Sequence, residues 1–407
     1  METTVEGARM TPQLRFPQFT DEWQVEKLGD IFDVRDGTHE SPQYFESGKP
    51  LITSKNLQPD GRLDLNNVSY ISQVDFENIN KRSKVDIGDV LFGMIGTIGN
   101  PVRVLSDDFA IKNVALIKQR SLPTEYLIQY LNSPIITKQF HQKNAGGTQK
   151  FIALGDIRLL NIGIASKYEQ EKIAEFLTVV DERIGKIEKK LELLQQYEKG
   201  VMQKIFSQQV RFKDDNGNPY PDWEEKKLSD VLKERNTQTP ISGEYPLMAF
   251  VAYKGVAPKG DRYNREFLVS DAKSKKYKQT QLGDFIYSSN NLETGSIGLN
   301  LYGSASISPV YSIFETKDGY SHQFLGAYLT RKKFIYQMVR YRQGVVYGQW
   351  RIHESEFLKI EEKFPCTGEQ QKIATFLTAL DDKIKAEQTR LAAAKQWKKG
   401  LLQRMFV

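Results

Sequence analysis

The sequence predicts an α+β protein: two mixed α/β units in a pseudo-twofold arrangement, joined by an intramolecular antiparallel coiled coil of two long helices. Three observations carry this. A long helical stretch occurs twice. A short Trp-containing segment recurs ahead of each unit. The two regions between them share a layout but differ in most side chains.

The first helical copy opens Glu169-Gln170-Glu171-Lys172-Ile173-Ala174-Glu175-Phe176-Leu177-Thr178 and runs to Phe206. The second opens Glu369-Gln370-Gln371-Lys372-Ile373-Ala374-Thr375-Phe376-Leu377-Thr378 and runs to Phe406. The offset, 369 − 169 = 200, holds without a gap, so that Asp181 matches Asp381 and Lys199 matches Lys399. Neither copy contains Pro. Apolar residues recur in steps of four and three at Ile173, Leu177, Val180, Ile184, Ile187, Leu191 and Leu194, which is the seam of a coiled coil. The second seam is weaker. Glu387 falls on it, and the Ala392-Ala393-Ala394 run lets a partner helix approach closely, so the pairing is expected to depart from a regular seam there. A helix of about 38 residues is roughly 57 Å long. A domain of about 150 residues is only some 26–30 Å across. So long a helix overhangs its own domain, and its natural partner is the other copy. Packing of each helix on its own domain stays open as the alternative.

The chain in order reads as a disordered leader over 1–13, a first unit over 14–165, a helix over 166–207, a second unit over 208–366 and a helix over 367–407. Leu14-Arg15-Phe16, Trp23 and Lys27-Leu28 recur as Val210-Arg211-Phe212, Trp223 and Lys227-Leu228. The first helix feeds directly into Val210. The segment that should follow the second helix is the one at 14–30, so it is expected to pack beside the Phe406 end and close a pseudo-twofold ring. Strands are expected at 50–53, 67–71, 89–92, 102–105 and 114–117, and helices at 125–131 and 135–142. Helices at 324–329 and 332–340 repeat the plan.

With 407 residues, a net charge of +6 and a pI near 8.9, the chain is mildly basic, which permits nucleic-acid binding without demanding it. No run approaches the ~18 apolar residues of a membrane span. The start has no signal-peptide core, and Cys366 is the single cysteine. A cytoplasmic setting is expected. The four histidines, His39, His141, His322 and His353, show no ligand spacing, so no metal site is expected. Gly93-Met94-Ile95-Gly96-Thr97-Ile98-Gly99 is not a nucleotide loop: no Walker lysine and no helix follow. No catalytic constellation rises above background.

Polar loops with Lys, Arg, Asn and Gln suit phosphates and base edges. In the first unit the candidates are Lys55, Asn56, Lys81, Arg82, Lys112, Asn113 and the Gly-rich run Gly146, Gly147, Thr148, Gln149, Lys150. In the second they are Lys254, Arg262, Lys275, Lys276, Arg342, Gln343, Tyr347, Gln349 and Arg351. A single Lys-rich loop is ordinary solvated surface. Two Gly-rich loops, each preceding a long helix, are read as contacts to nucleic acid.

Over residues 14–407 the chain resembles the specificity subunit of type I restriction–modification systems. The resemblance rests on Glu-Gln-x-Lys-Ile-Ala-x-Phe-Leu-Thr in both helices, on the Trp and Lys-Leu segments, and on two variable units alternating with two similar helices. It implies that each unit is a target recognition domain reading one half of a bipartite, asymmetric site in double-stranded DNA. It implies that the helices set the spacer and hold two modification (methyltransferase) subunits, with two restriction subunits in the full complex. S-adenosylmethionine, ATP and Mg would be bound by those partners, with no cofactor and no catalysis in this chain. A rod of roughly 57 Å spans ~17 base pairs, a sensible ruler between half-sites. Identity between the copies off the seam, at Gln170, Lys172, Thr178 and Asp181 with Gln370, Lys372, Thr378 and Asp381, is read as one partner surface used twice. The alternative from another class is a two-domain protein-binding scaffold without DNA specificity.

Overall fold

The structure is a computed structural model that describes residues 10–118, 122–143, 151–258, 276–346 and 349–407, the side chains of 143, 344–346 and 349 apart. It divides into two compact units. The first comprises residues up to Lys190 together with Glu387–Val407; the second is Leu191–Ala386. The division cuts through both long helices, so each unit owns a globular part and two half-helices. This differs from the sequence reading, which set the helices apart as separate segments.

The first unit is built on a four-stranded antiparallel sheet of β1 (Val34–Asp36), β2 (Val90–Gly93), β3 (Gly99–Arg103) and β4 (Val114–Ile117), in the order β1-β4-β2-β3. All four residues of β2 and of β4 are buried, which explains their unbroken apolar sequences. Helix α1 (Gln73–Ser83) starts at Ser72, whose hydroxyl accepts from the Asp75 N–H, an ordinary N-cap. The sequence reading missed this helix, because its apolar positions are few. Helix α2 (Thr124–Leu131) packs Tyr126 and Tyr130 into the main core. The second unit repeats the sheet with β5 (Leu232–Glu234), β6 (Phe285–Tyr287), β7 (Ile297–Leu299) and β8 (Ser312–Thr316), in the order β5-β8-β6-β7, again antiparallel.

Helix α3 (Lys167–Phe206) carries the first repeated stretch, α4 (His322–Leu329) is the second unit's counterpart of α2, and α5 (Thr367–Met405) carries the second repeat. At 40 and 39 residues the two long helices are each about 60 Å long at 1.5 Å per residue. Within the first unit they run antiparallel. Asp181 pairs with Lys398 at 2.5 Å, Glu188 with Lys395 at 2.6 Å, and Lys190 with Glu387. Ile173, Leu177, Val180 and Ile184 share one core with Leu401, Leu402, Met405 and Phe406. Within the second unit Ile205 and Phe206 share a core with Ile373, Ala374 and Leu377.

Glu387 does mark the departure from a regular seam. It is buried, its Oε1 meets Lys190, and its Oε2 has no partner. Beside it the small Ala393 and Ala394 leave a groove of about 400 Å³ bounded by Val180, Ile184, Ile187, Arg183, Arg390 and Trp397.

The recurring segments anchor the helix ends. In the first unit the Arg15 guanidinium meets both Glu169 carboxylate oxygens at 2.7 Å, and Trp23 Nε1 donates to Glu169 at 3.1 Å. In the second, Arg211 meets Glu369 at 3.1 and 2.7 Å and Trp223 Nε1 donates at 3.1 Å. Glu169 and Glu369 sit in the first turns of α3 and α5, where the helix dipole favours a negative charge. Segment 14–30 packs on the C-terminal end of α5, as expected: Leu14 N–H donates to Arg404 O at 2.8 Å and the Trp23 ring lies 6.4 Å from Phe406. Met10, within the expected leader 1–13, pairs with Trp23 by two backbone hydrogen bonds.

Candidate nucleic-acid interface

Antiparallel pairing brings the end of β1, the end of β2 and the start of β4 to one edge of the first sheet, because Asp36 lies opposite Ala115 and Gly93 opposite Val114. Gly37 follows β1 there. A Cβ on it would lie 2.2 Å from Ile111 O, so only glycine fits. Asn113 enters β4 with φ +54, a left-handed conformation that Asn tolerates. Ser54 ties the loops together. Its hydroxyl donates to Asn113 O at 3.1 Å and accepts from Met94 and Ile95 N–H at 3.0 and 3.3 Å. Ile152 N–H donates to Met94 O at 2.9 Å, so the chain returning from residues 144–150 lands on the same edge.

The edge is basic and aromatic. Lys55 is exposed, and Lys112 Nζ reaches Ser41 Oγ at 2.6 Å and the Tyr44 hydroxyl at 3.4 Å. Tyr44, Ile95 and Phe151 expose large apolar surface. Beneath them the buried Asp36 carboxylate accepts from His39 Nε2 at 2.7 Å and from Arg82. His39 Nδ1 meets Asn113 Oδ1 at 2.7 Å. These bonds to Asp36 and Asn113 raise the His39 pKa.

The second unit builds the corresponding edge differently. The loop from Ser288 to Ser296 joins β6 to β7. Arg342 clamps it, donating to Ser289 O at 2.9 Å and to both Glu293 oxygens at 2.8 and 2.7 Å. This holds the Glu293 carboxyl below its usual range. Asn290 Oδ1 accepts from Trp350 N–H at 2.7 Å and Ser289 Oγ from Ile352 N–H at 3.0 Å. The Tyr253 ring lies over Gly295 so closely that a Cβ there would be 2.4 Å from it. Tyr253 is 81% exposed and Trp350 45%, two flat faces on which bases can stack.

A family model described as "Type I restriction modification DNA specificity domain" matches residues 20–196 and 220–396. The chain belongs to this family. Two proteins of Methanocaldococcus jannaschii, named for the specificity subunits of the MjaX and MjaIX type I restriction enzymes, are similar to it. They are 25% and 22% identical, over 95% and 94% of this chain and 93% and 92% of theirs. The crystal structure of the S subunit of a type I restriction–modification system from M. genitalium shares the fold, with a TM-score of 0.57 at 15% identity over 98% of this chain and 99% of that one. The two units are thus the two target recognition domains of a specificity subunit.

The recognition domains sort the sequence candidates. Lys55, Lys112 and Asn113 meet at the first edge, and Lys254 and Arg351 lie near or on the second. Gln343 and Lys276 are exposed. Asn56 is corrected: it is buried, its Oδ1 accepts from Thr53 N and Oγ1, and its Nδ2 donates to Asp64 O and Asn67 O, so it fastens a turn. Lys81 and Arg82 stand on the last turn of α1 and not on a loop, and Arg342 is the Glu293 clamp with an 11% exposed side chain. Gly146, Gly147, Thr148, Gln149, Lys150, Arg262, Lys275 and Tyr347 lie outside the described residues. Gln349 has a described backbone only, paired with Val346. His39 and Ser54 were missed. The one available signal was position, since His39 follows the Asp36-Gly37 turn.

The proposed partner face is corrected in part. Gln170 and Gln370 are buried, donating to Ala165 O at 2.7 Å and Pro365 O at 2.9 Å ahead of the helices. Local structure explains their repetition. Asp181 is engaged within its unit by Lys398 and by Gln129 Nε2 at 2.7 Å. Lys172 pairs with Glu175 at 3.0 Å and Lys372 with Asp215. Thr178 is half-buried, and Thr378 and Asp381 are exposed. Gln196, Lys199 and Gln203 and their counterparts Gln396, Lys399 and Gln403 are exposed in both copies. Among the described residues there is no metal-binding cluster, and no helix is long and apolar enough to cross a membrane.

Proposed function

We propose that each recognition domain reads one half of a bipartite, asymmetric site in double-stranded DNA through the sheet edge described above. The observation that carries this is the contrast between the edges. Two sheets of one topology end in loops of different chemistry, Lys55, Lys112 and Asn113 on one, Tyr253, Trp350 and Arg351 on the other. Core packing explains the common scaffold and leaves the differing loops to their targets. The long helices set the spacer and carry two methyltransferase subunits, and through them two restriction subunits. S-adenosylmethionine, ATP and Mg bind to those partners, and this chain supplies recognition without chemistry. The exposed repeated Gln196, Lys199 and Gln203 set supports a surface presented twice. The test is to map methylated adenines in cells carrying the chain with its methyltransferase subunit, and again after exchange of residues 231–365 for those of a relative. The expected result is one bipartite motif whose second half alone changes. Methylation that is absent, or that ignores the exchange, would favour the protein-binding scaffold instead.

A further inference from the structure

The first edge holds a histidine bridged between a buried carboxylate and an amide. His39 spends both ring nitrogens inside the protein. Nε2 faces the Asp36 carboxylate at 2.7 Å and Nδ1 faces the Asn113 amide oxygen at 2.7 Å. A carboxylate only accepts, so Nε2 carries a proton in either charge state of the ring. With the amide oxygen toward the ring, Nδ1 carries a proton too, and the ring is then an imidazolium. One lone pair of Asn113 Oδ1 is therefore taken by the ring, and Nδ2 has no partner among the described residues. The oxygen is turned toward the ring, and the Nδ2 donors are the part of this half-buried amide left for a ligand. A neutral ring would keep the proton on Nε2 and turn Nδ1 into an acceptor. Asn113 would then have to flip, giving Nδ2–H to the ring and showing Oδ1 to solution.

We propose that His39 fixes the hydrogen-bonding polarity of Asn113, so that this edge offers DNA an amide donor and selects an acceptor. The proposal rests on the DNA-reading function above. A free Asn reads adenine through its oxygen and its nitrogen together. An Asn113 whose oxygen is turned to His39 does not present both atoms to one base, and matches instead the acceptor-only edge of guanine or a phosphate oxygen. The site is rigid enough for this. Asn113 N–H donates to Thr38 O at 3.1 Å, its carbonyl accepts from Ser54, and its φ is +54. The charged groups facing His39 are Asp36 from β1 and Arg82 from α1. Its neighbour Glu40 is exposed, and Lys112, next to Asn113, gives its ammonium to Ser41 and Tyr44. Asp36 raises the His39 pKa and Arg82 lowers it, with a net rise. A raised pKa keeps the donor face present at low pH and loses it as pH climbs through that value. His39 acts through Asn113 and is a positioning residue.

The experiment uses the full chain assembled with its methyltransferase subunit, on a duplex carrying the mapped site, from about pH 6 to about pH 9 at fixed salt. Wild type should lose about tenfold in affinity across that range, on the scale of one base-edge contact. His39→Ala should flatten the profile. Asn113→Asp keeps an acceptor for the ring and removes the donors, and should bind about tenfold more weakly at the low end. Replacing each guanine of the first half-site in turn by 7-deazaguanine, which lacks the N7 acceptor, and by 2-aminopurine, which lacks O6, separates the sources. A loss at one guanine assigns the base edge; insensitivity at all of them, with a smaller salt slope in Asn113→Asp, assigns a phosphate. Specific binding with one pH profile shared by wild type and His39→Ala overturns the proposal alone. Absence of specific binding at every pH overturns the DNA-reading function and the proposal with it.

Discussion

The two units hold their helix ends by one device on one sheet topology, and they diverge in their edge loops and along their helices. Phe406 lies 5.6 Å from the Tyr126 ring and 4.9 Å from Tyr130; Phe206 lies 6.2 Å from Phe324 and 5.3 Å from Tyr328. Leu14 N–H donates to Arg404 O at 2.8 Å, and Val210 N–H donates to Lys204 O at 3.2 Å. In the second unit the partners are six residues apart, 210 − 204 = 6; in the first they are remote in sequence. The same geometry arises with and without a nearby peptide link. The Arg, Trp, Glu and aromatic side chains therefore define it, and the connection does not. Along the helices the units differ. Lys398 gives Asp181 an ion pair, whereas the matching residue Glu198 sets a second carboxyl against Asp381.

Breaking the shared device should have the largest effect. Glu169→Ala takes both carboxylate contacts from the Arg15 guanidinium, whose side chain is 11% exposed, leaving its bond to Asp21 O at 2.5 Å, and should cost about 3 kcal/mol. Glu369→Ala should cost less, because the Arg211 side chain is 23% exposed and also meets Asp222. Urea unfolding followed by Trp fluorescence reads both, since Trp23 and Trp223 report the two sites. If both losses stay below about 1 kcal/mol, the carboxylates do not anchor the helix ends.

Next in size are the edges. Arg351 is exposed and 3.7 Å from Glu354, so Arg351→Ala should weaken DNA binding of the assembled complex by about 1 kcal/mol and lower the salt slope by about 1 if it meets a phosphate. Lys55→Ala should do the same through the first edge. Affinity measured across a salt series decides it, and unchanged slopes in both variants would remove these residues from the interface.

What was legible in the sequence follows from where the signal lies. The long helices were plain because a Pro-free seam of 3.5-residue period is a long-range pattern, and β4 was read residue for residue because a buried strand is a continuous apolar run. Helix α1 was missed because Gln73–Ser83 is mostly polar, and its exposed last turn was taken for a loop. The repeated Trp23, Trp223, Glu169 and Glu369 were visible as repeats. Their union across 146 residues of chain was not, because a hydrogen bond of that span leaves no local mark. Repetition also misled. Gln170 and Gln370 repeat because both fasten the turn entering a helix, which looks in sequence like a shared outer face. Asn56, expected to read, supports instead: burial and partners decide whether a polar side chain reads or supports, and neither is written in a residue type.

The carboxyl pair offers the smallest and most discriminating prediction. Burial and the neighbouring Asp381 push Glu198 up to about 7. An acid whose folded pKa is raised adds stability that is complete below its unfolded pKa, about 4.3, and is lost as pH climbs through the folded one. Wild type should therefore lose stability between about pH 4.5 and about pH 7.5, by less than about 1 kcal/mol because solvent still reaches the half-buried Glu198. Glu198→Gln should abolish that slope. Glu198→Lys copies the Lys398–Asp181 arrangement of the other unit and should gain stability above neutral pH, where wild type has two carboxylates side by side. Melting temperatures of the three proteins across this range give the answer. Parallel profiles in wild type and Glu198→Gln would show that the pair does not couple to folding, and that the two half-coils differ in sequence without differing in electrostatics.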